Sequence, residues 1–294
     1  MKWDVTKQHE GLLLREYLLK VIGISRRTLT AIKFDEGKLF VNERVVNVRY
    51  LLSENDQIKI VFPKEKRSPL LVAQNIPIDI VYEDEDVLVL NKAPFIASIP
   101  SRDHPSHTLA NGIINYYDNH KIPYTVHIVT RLDRDTSGLM LIAKHRYSHS
   151  VLFRDQQQHK VNRGYLAIVS GNLDNECGTI SNPIGRDTDS IITRKVSPHG
   201  QHAITHYQVR EQLDGIALLE IHLETGRTHQ IRVHFSSIGH PLIGDDLYGG
   251  DLKTLQRQSL HCHQLAFDHP LTKERMQFEI PLAKDLKQAW EAYN

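Results

Sequence analysis

The sequence predicts an α+β protein: a mixed, mainly antiparallel β-sheet with flanking helices, preceded by a small N-terminal α/β module. Three observations lead there. Short alternating or continuously apolar runs recur at Ile78–Tyr82, Val87–Leu90, Gly138–Ala143, Tyr165–Ser170, Ile204–Arg210, Ala217–Leu223 and Gln277–Ile280, each of strand length. Among them only Thr108–Tyr117 and the stretch near His149–His159 have helical character, too few crossovers for a doubly wound parallel sheet. The charged, proline-bounded stretch Pro63-Lys64-Glu65-Lys66-Arg67-Ser68-Pro69 has no periodicity and marks a junction. The expected division is therefore 1–66 as the small module, 67–77 as linker and 78–294 as the large domain.

In the small module, Leu12–Leu19 has helical apolar spacing, and Gly23 is its stop. Ser25 is a good N-cap for a second helix that begins Arg26-Arg27-Thr28-Leu29 and ends near Gly37. Lys38–Val41 reads as a strand and Asn42-Glu43-Arg44 as a turn. Glu54-Asn55-Asp56 turns the chain into the alternating strand Gln57–Phe62. In the large domain, Ile78–Tyr82 and Val87–Leu90 flank an acidic turn and form a hairpin signal.

Composition narrows the function class. Of 294 residues, 40% are hydrophobic and 24% charged, the balance of a globular chain rather than a disordered one. No apolar run approaches the ~20 residues of a membrane-spanning helix, and the first residues have no apolar signal core. The two cysteines, Cys177 and Cys262, fit neither a disulfide framework nor a metal finger. A cytoplasmic protein is expected. Net charge is +1, but residues 1–67 carry 14 Lys/Arg against 9 Asp/Glu and the remainder 22 against 26. A basic small module on a near-neutral large one suits local phosphate contact.

Two blocks could carry chemistry. In Arg131-Leu132-Asp133-Arg134-Asp135-Thr136-Ser137-Gly138, a polar turn leads into a buried-type strand, a loop held by a rigid element. Arg131 and Arg134 flank Asp133 in sequence, and neighbouring cations favour an ionised carboxylate. Taken alone, this could equally be a structural turn with a solvated Arg–Asp pair. The second block, Leu219 to Gly249, ends a strand in a glycine turn followed by many Arg, His and Gln donors. Such density suggests an anionic partner, either phosphate or Asp133 itself.

Together these blocks resemble the RluA family of pseudouridine synthases. That family's loop, His-Arg-Leu-Asp-x-x-Thr-Ser-Gly, is matched by Thr130 to Gly138, and its Thr-Gly-Arg-Thr-His-Gln-Ile-Arg-x-His stands unbroken as Thr225 to His234. Gly-Asp-x-x-Tyr-Gly is met at 244–249, and Leu260 to Pro270 is similar to the family's ending. The chain departs from the pattern at Thr130, at Asn91-Lys92-Ala93-Pro94-Phe95 (usually Asn-Lys-Pro-x-Gly) and at Arg163-Gly164 (often Lys-Glu). Residues 1–66 resemble the S4 RNA-binding domain through Gly-x-Ser-Arg-Arg at 23–27, Gly37-x-x-x-Val41-Asn42 and Asp56-x-Ile58.

The resemblance implies site roles. Asp133 matches the essential aspartate, Arg232 the basic residue that pairs with it, and Tyr165 the tyrosine against the target base. Arg131 resembles the arginine that displaces the target nucleotide, with Arg227 and His229 as further RNA contacts. Arg26, Arg27 and Lys33 of the S4-like module would meet phosphates from the N-terminal half of one helix. No cofactor is implied, since the isomerisation is redox-neutral and the chain lacks a P-loop or dinucleotide glycine fingerprint. The expected partner is structured RNA, large-subunit ribosomal RNA first and transfer RNA second, and a monomer is expected. A metal hydrolase built on His222, His229, His234, His261 and His263 is disfavoured. There is no His-Glu-x-x-His, and arginines stand beside the histidines. A non-catalytic RNA-binding or ribosome-assembly factor on the same fold is the other alternative.

Overall fold

The computed structural model describes every residue except Leu70, Asp189, Ile191 and Asn294. The N-terminal unit begins with strand β1 (Lys2–Asp4), followed by helix α1 (Leu14–Glu16), which widens into a π-helical stretch over Tyr17–Ile22. Gly23 ends it at φ 84°, the left-handed stop expected from the sequence. Helix α2 (Arg26–Phe34) starts at Ser25, whose hydroxyl accepts from the Thr28 N–H at 3.1 Å. Strands β2 (Lys38–Val41), β3 (Arg44–Val45) and β4 (Gln57–Val61) complete an antiparallel sheet in the order β1-β4-β2-β3.

The core of this unit is built from Leu14, Leu18, Ile24, Ile32, Leu52 and Ile58, and it includes Tyr147 and Val151 from the large unit. Trp3 meets the Tyr147 ring edge-on at 5.5 Å, and the Thr28 and Ser150 hydroxyls lie 3.2 Å apart. The connecting stretch is strapped down by its charges. Glu65 accepts from the Thr125 N–H (3.2 Å) and the Arg146 N–H (2.7 Å) and pairs with His127 at 2.8 Å. Arg67 donates to the carbonyls of Tyr124 and Ile122, both at 2.9 Å, and pairs with Asp118.

The large unit opens with β5 (Ile80–Glu83), β6 (Val87–Lys92), α3 (Leu109–Asn119), β7 (His127–Ile128), β8 (Ser137–Ala143) and α4 (Arg146–Gln157). It continues through β9 (Asn162–Ser170), β10 (Cys177–Ile180), β11 (Ile184–Arg186), β12 (Arg194–Val196), β13 (Thr205–Leu213) and β14 (Ile216–Leu223). Helix α5 (Gln230–Ser237), β15 (Leu260–Asp268), β16 (Arg275–Glu279) and α6 (Lys284–Glu291) end the chain. One ten-stranded sheet runs β10-β13-β14-β9-β15-β8-β6-β5, with β16 on β15 and β7 on β8, while β11 and β12 pair apart. The α+β, mainly antiparallel expectation holds. Among the described strands only β15 and β8 pair in parallel, joining His261 to Ser137 and Cys262 to Gly138. Gly138 is required there. Its φ is 114°, and an added Cβ would lie 2.2 Å from the Cys262 carbonyl oxygen. No helix among the described residues is long and apolar enough to cross a membrane.

Candidate active site

Asp133 lies in the loop leading from β7 to β8, and other elements hold that loop's backbone. The Leu132 carbonyl accepts from Ser98 Oγ (2.7 Å), that of Arg134 from Lys92 Nζ (2.8 Å) and that of Asp135 from Arg257 Nη1 (3.0 Å). The Asp133 carbonyl accepts from the Thr136 N–H at 3.2 Å, and Thr136 Oγ1 from Gln258 Nε2 at 3.1 Å. Burial pushes the Lys92 ammonium down to about 7, with Asp135 pulling the other way, while the carbonyls it bonds favour the charged form. Thr130 is 1% exposed, and its hydroxyl accepts from the Leu141 N–H at 2.9 Å. The position that departs from the family loop is thus turned inward onto β8.

The Asp133 carboxylate, 31% exposed, faces Arg232 Nη1 at 3.5 Å and His229 Nε2 at 3.9 Å. Arg232 is buried, and its nearer partner is Asp245: Nε and Nη2 donate to the two Asp245 oxygens, each at 2.7 Å. The pairing of Arg232 with Asp133 is therefore present but secondary. Arg232 also lies 5.0 Å from the centre of the Tyr248 ring. The Tyr248 hydroxyl accepts from the Arg194 N–H (2.9 Å) and sits 2.8 Å from His229 Nδ1. The Tyr248 hydroxyl thus holds the Nδ1 edge of the His229 ring, which turns Nε2 toward Asp133. Burial lowers the His229 pKa; Asp133 opposes the shift and Arg232 adds to it.

Tyr165, on β9 opposite Ile221 and Cys262, is 4% exposed. Burial raises its phenol, Arg163 opposes, and the nearby Cys262 and Asp133 raise it further. It enters the site as a neutral phenol.

Two sequence expectations need correction. Neither flanking arginine pairs with Asp133: Arg134 forms a two-point pair with Asp135 at 2.8 and 2.9 Å. Arg131 is exposed and lines a cavity of 510 Å³ with Ile99, Pro100, Ile128 and His149. The side chains turn where the held backbone sends them, whatever their sequence neighbours. Lys33 stands in the last turn of α2, 4.7 Å from the Phe34 ring, away from the N-terminal half where Arg26 and Arg27 are exposed.

Much of the donor-rich block is spent inside the protein. Gln230 Nε2 bonds the Ile204 carbonyl at 2.9 Å, and His234 sits between Thr205 Oγ1 (2.9 Å) and the Asn182 carbonyl (2.8 Å). Arg227 is exposed, with Nε on the His202 carbonyl at 2.9 Å. Asp245 and Tyr248 were visible as a motif, but nothing in their spacing announced that one holds Arg232 and the other orients His229. Lys92 stood in the Asn91–Phe95 stretch compared with the family's Asn-Lys-Pro-x-Gly, with nothing to show that its ammonium holds the Asp133 loop, and Ser98 and Arg257 had no signal at all.

The histidines do not gather around one centre. His261 lies between Ser137 Oγ (2.8 Å) and the Pro281 carbonyl (3.1 Å), and His222 pairs with Glu220 at 3.1 Å. Asp84, Asp86 and His269 come within 4.8 Å of one another. Their atoms are engaged by Tyr82, by the N–H groups of Asp86 and Val87, by Ser148 and by His145.

Buried histidines make a pH prediction. Burial first, then Arg257, push His261 from 6.5 to about 4; burial, then His127, do the same to His149. Between those values the unfolded chain binds protons that the folded chain does not. The midpoint of urea unfolding is therefore expected to fall as the pH is lowered from 6.5 to about 4. A flat profile over that window would contradict it.

A well-held aspartate beside a buried arginine, with a tyrosine on β9 across the intervening strand β15, stands in motifs that resemble those of an RNA-modifying class of enzyme. Residues 86–237 match the family model described as RNA pseudouridylate synthase. An uncharacterized RNA pseudouridine synthase of Bacillus subtilis, YjbO, is 51% identical over 273 residues, covering 93% of this chain and 96% of that protein. Ribosomal large subunit pseudouridine synthase D of Haemophilus influenzae is 37% identical over 274 residues, covering 88% and 83%. Human RNA Pseudouridylate Synthase Domain Containing 1 superposes with a TM-score of 0.59 at 25% identity, covering 78% of this chain and 97% of that one.

The chain belongs to the RNA pseudouridylate synthase family. Its reaction is the isomerisation of uridine to pseudouridine in RNA.

Proposed function

We propose that this protein isomerises specific uridines of large-subunit ribosomal RNA, with Asp133 as the essential carboxylate. The observation that carries the reading is the Asp133 site itself: an accessible carboxylate on a backbone clamped by Ser98, Lys92 and Arg257, faced by Arg232. The substrate class is supported by the relative named for the ribosomal large subunit.

The reaction breaks the bond from C1′ to N1, turns the uracil and joins C1′ to C5; the C5 proton leaves and N1 gains one. A carboxylate is needed for each route open to it: attack at C1′, attack at C6, or removal of a ribose proton. Arg232 and His229 fix the direction of Asp133, and neutral Tyr165 offers its ring to the uracil. Arg131 assists eversion of the nucleotide, which costs a few kcal/mol of lost stacking. Arg227 and, on an S4-like N-terminal module spanning 1–66, Arg26 and Arg27 add phosphate contacts that offset this cost; Lys33 adds one from the far end of α2. The linker 67–77 joins that module to a catalytic domain at 78–294. The protein acts as a cytoplasmic monomer.

Pseudouridine mapping of total RNA from cells with and without the gene tests the reading. A site in large-subunit ribosomal RNA is expected to disappear without the gene. Loss confined to transfer RNA would move the substrate, and an unchanged map would leave only an RNA-binding factor.

A further inference from the structure

We propose that the ring of Phe95 is a stacking platform for an unpaired base of the RNA substrate next to the uridine that Asp133 meets. The proposal rests on the pseudouridine-forming reading of the site.

Pro94 and Phe95 are the central residues of a turn that follows β6, and Phe95 has φ 66°. A turn with proline first and positive φ second ordinarily takes glycine or asparagine at the second place. Every other non-glycine residue with positive φ among the described residues is Glu, Asn, His or Lys; Phe95 alone is apolar. A bulky side chain on such backbone is an outlier that needs a compensating gain. Burial does not supply it, because the side chain is 58% exposed. Neither backbone preference nor the hydrophobic effect favours phenylalanine here in the free protein.

The turn is built into the scaffold of the catalytic loop. Lys92, 1% exposed, donates from Nζ to the carbonyls of Ala93 (2.8 Å) and Ile96 (2.9 Å), on either side of the Pro94-Phe95 pair. The same ammonium donates to the Arg134 carbonyl at 2.8 Å, one residue from Asp133. Ser98 adds a second clasp, to the Leu132 carbonyl at 2.7 Å. The Phe95 turn and the Asp133 loop therefore move as one body. Farther along the same segment, Ile99 and Pro100 share the wall of the 510 Å³ cavity with Arg131, so apolar surface and a cation for phosphate adjoin.

Single-stranded RNA is recognised largely by stacking bases on aromatic rings. Everting the target uridine strips a stacking partner from its neighbour. An exposed ring clamped to the catalytic loop replaces that partner.

The probe is [5-³H]uridine-labelled total ribosomal RNA from cells lacking the gene, with tritium release reporting turnover. Wild type, Phe95→Gly and Phe95→Trp are compared. Glycine relaxes the turn, so Phe95→Gly should melt no earlier than wild type. Its KM is expected to rise about tenfold, the worth of one lost base stack, with kcat within about twofold of wild type. Phe95→Trp should restore KM. An unchanged KM in Phe95→Gly, a fall in kcat alone, or no restoration by tryptophan overturns the proposal while leaving the active-site reading intact. A wild-type protein that releases no tritium overturns both.

Discussion

Asp133→Asn is expected to fold, bind RNA and make no detectable pseudouridine, a loss of roughly 10⁴-fold or more in turnover. The substitution keeps the size of the side chain and an oxygen for Arg232 and His229, but removes the nucleophilic or basic carboxylate. No neighbour is placed to substitute: Asp135 is held by Arg134, and Asp245 is buried and held by Arg232. The loop's position depends on carbonyls bonded by Ser98, Lys92 and Arg257, so the backbone should not notice the change. Tritium release and filter binding, measured on the same preparation, separate chemistry from RNA affinity. Turnover within about tenfold of wild type would remove Asp133 from the centre of the mechanism.

Asp245→Ala is expected to destabilise the fold by about 3–5 kcal/mol, because it strands the buried Arg232 without its two-point partner. Arg232 has 4% side-chain exposure and Asp245 none, so water cannot replace the lost contact cheaply. Activity should fall with stability, since Arg232 is also what faces Asp133. Urea unfolding of Asp245→Ala gives the stability change. Adding Arg232→Met should recover much of it by removing the stranded charge, without recovering turnover. A single variant as stable as wild type would show that the Arg232–Asp245 pair does not organise the site.

The fold was legible wherever an element has a clear terminus or a strand-length apolar run. Ser25 and Gly23 announced themselves through capping and left-handed geometry, and 38–41, 138–143 and 217–223 through such runs, the second of them buried on both faces in β8. Helix α5 did not, for a physical reason. Gln230 through Phe235 are all buried, polar and apolar alike, so no amphipathic rhythm survives and Ile231, Val233 and Phe235 alternate as a strand would. Short strands such as β1 and β7 are set by the partner they pair with rather than by their own two or three residues. At the site, sequence brought out Asp133 and Arg232 because they sit in dense motifs, and Tyr165 only through the family resemblance. It could not show that Arg232 leans first on Asp245, or that Lys92 ties two loops together, because both facts arise from contacts between distant segments.

The shared core of the two units limits how this protein can be dissected. Cutting the chain after residue 67 would leave Tyr147 and Val151 as an apolar scar on α4 and would remove Glu65, which bonds the His127 ring and caps the Arg146 end of that helix. A truncated enzyme that loses activity would therefore be reporting damage to its own scaffold as much as a missing hold on RNA. The two halves have to be told apart at their surfaces, by charge reversal at Arg26 and Arg27, with the joint left whole.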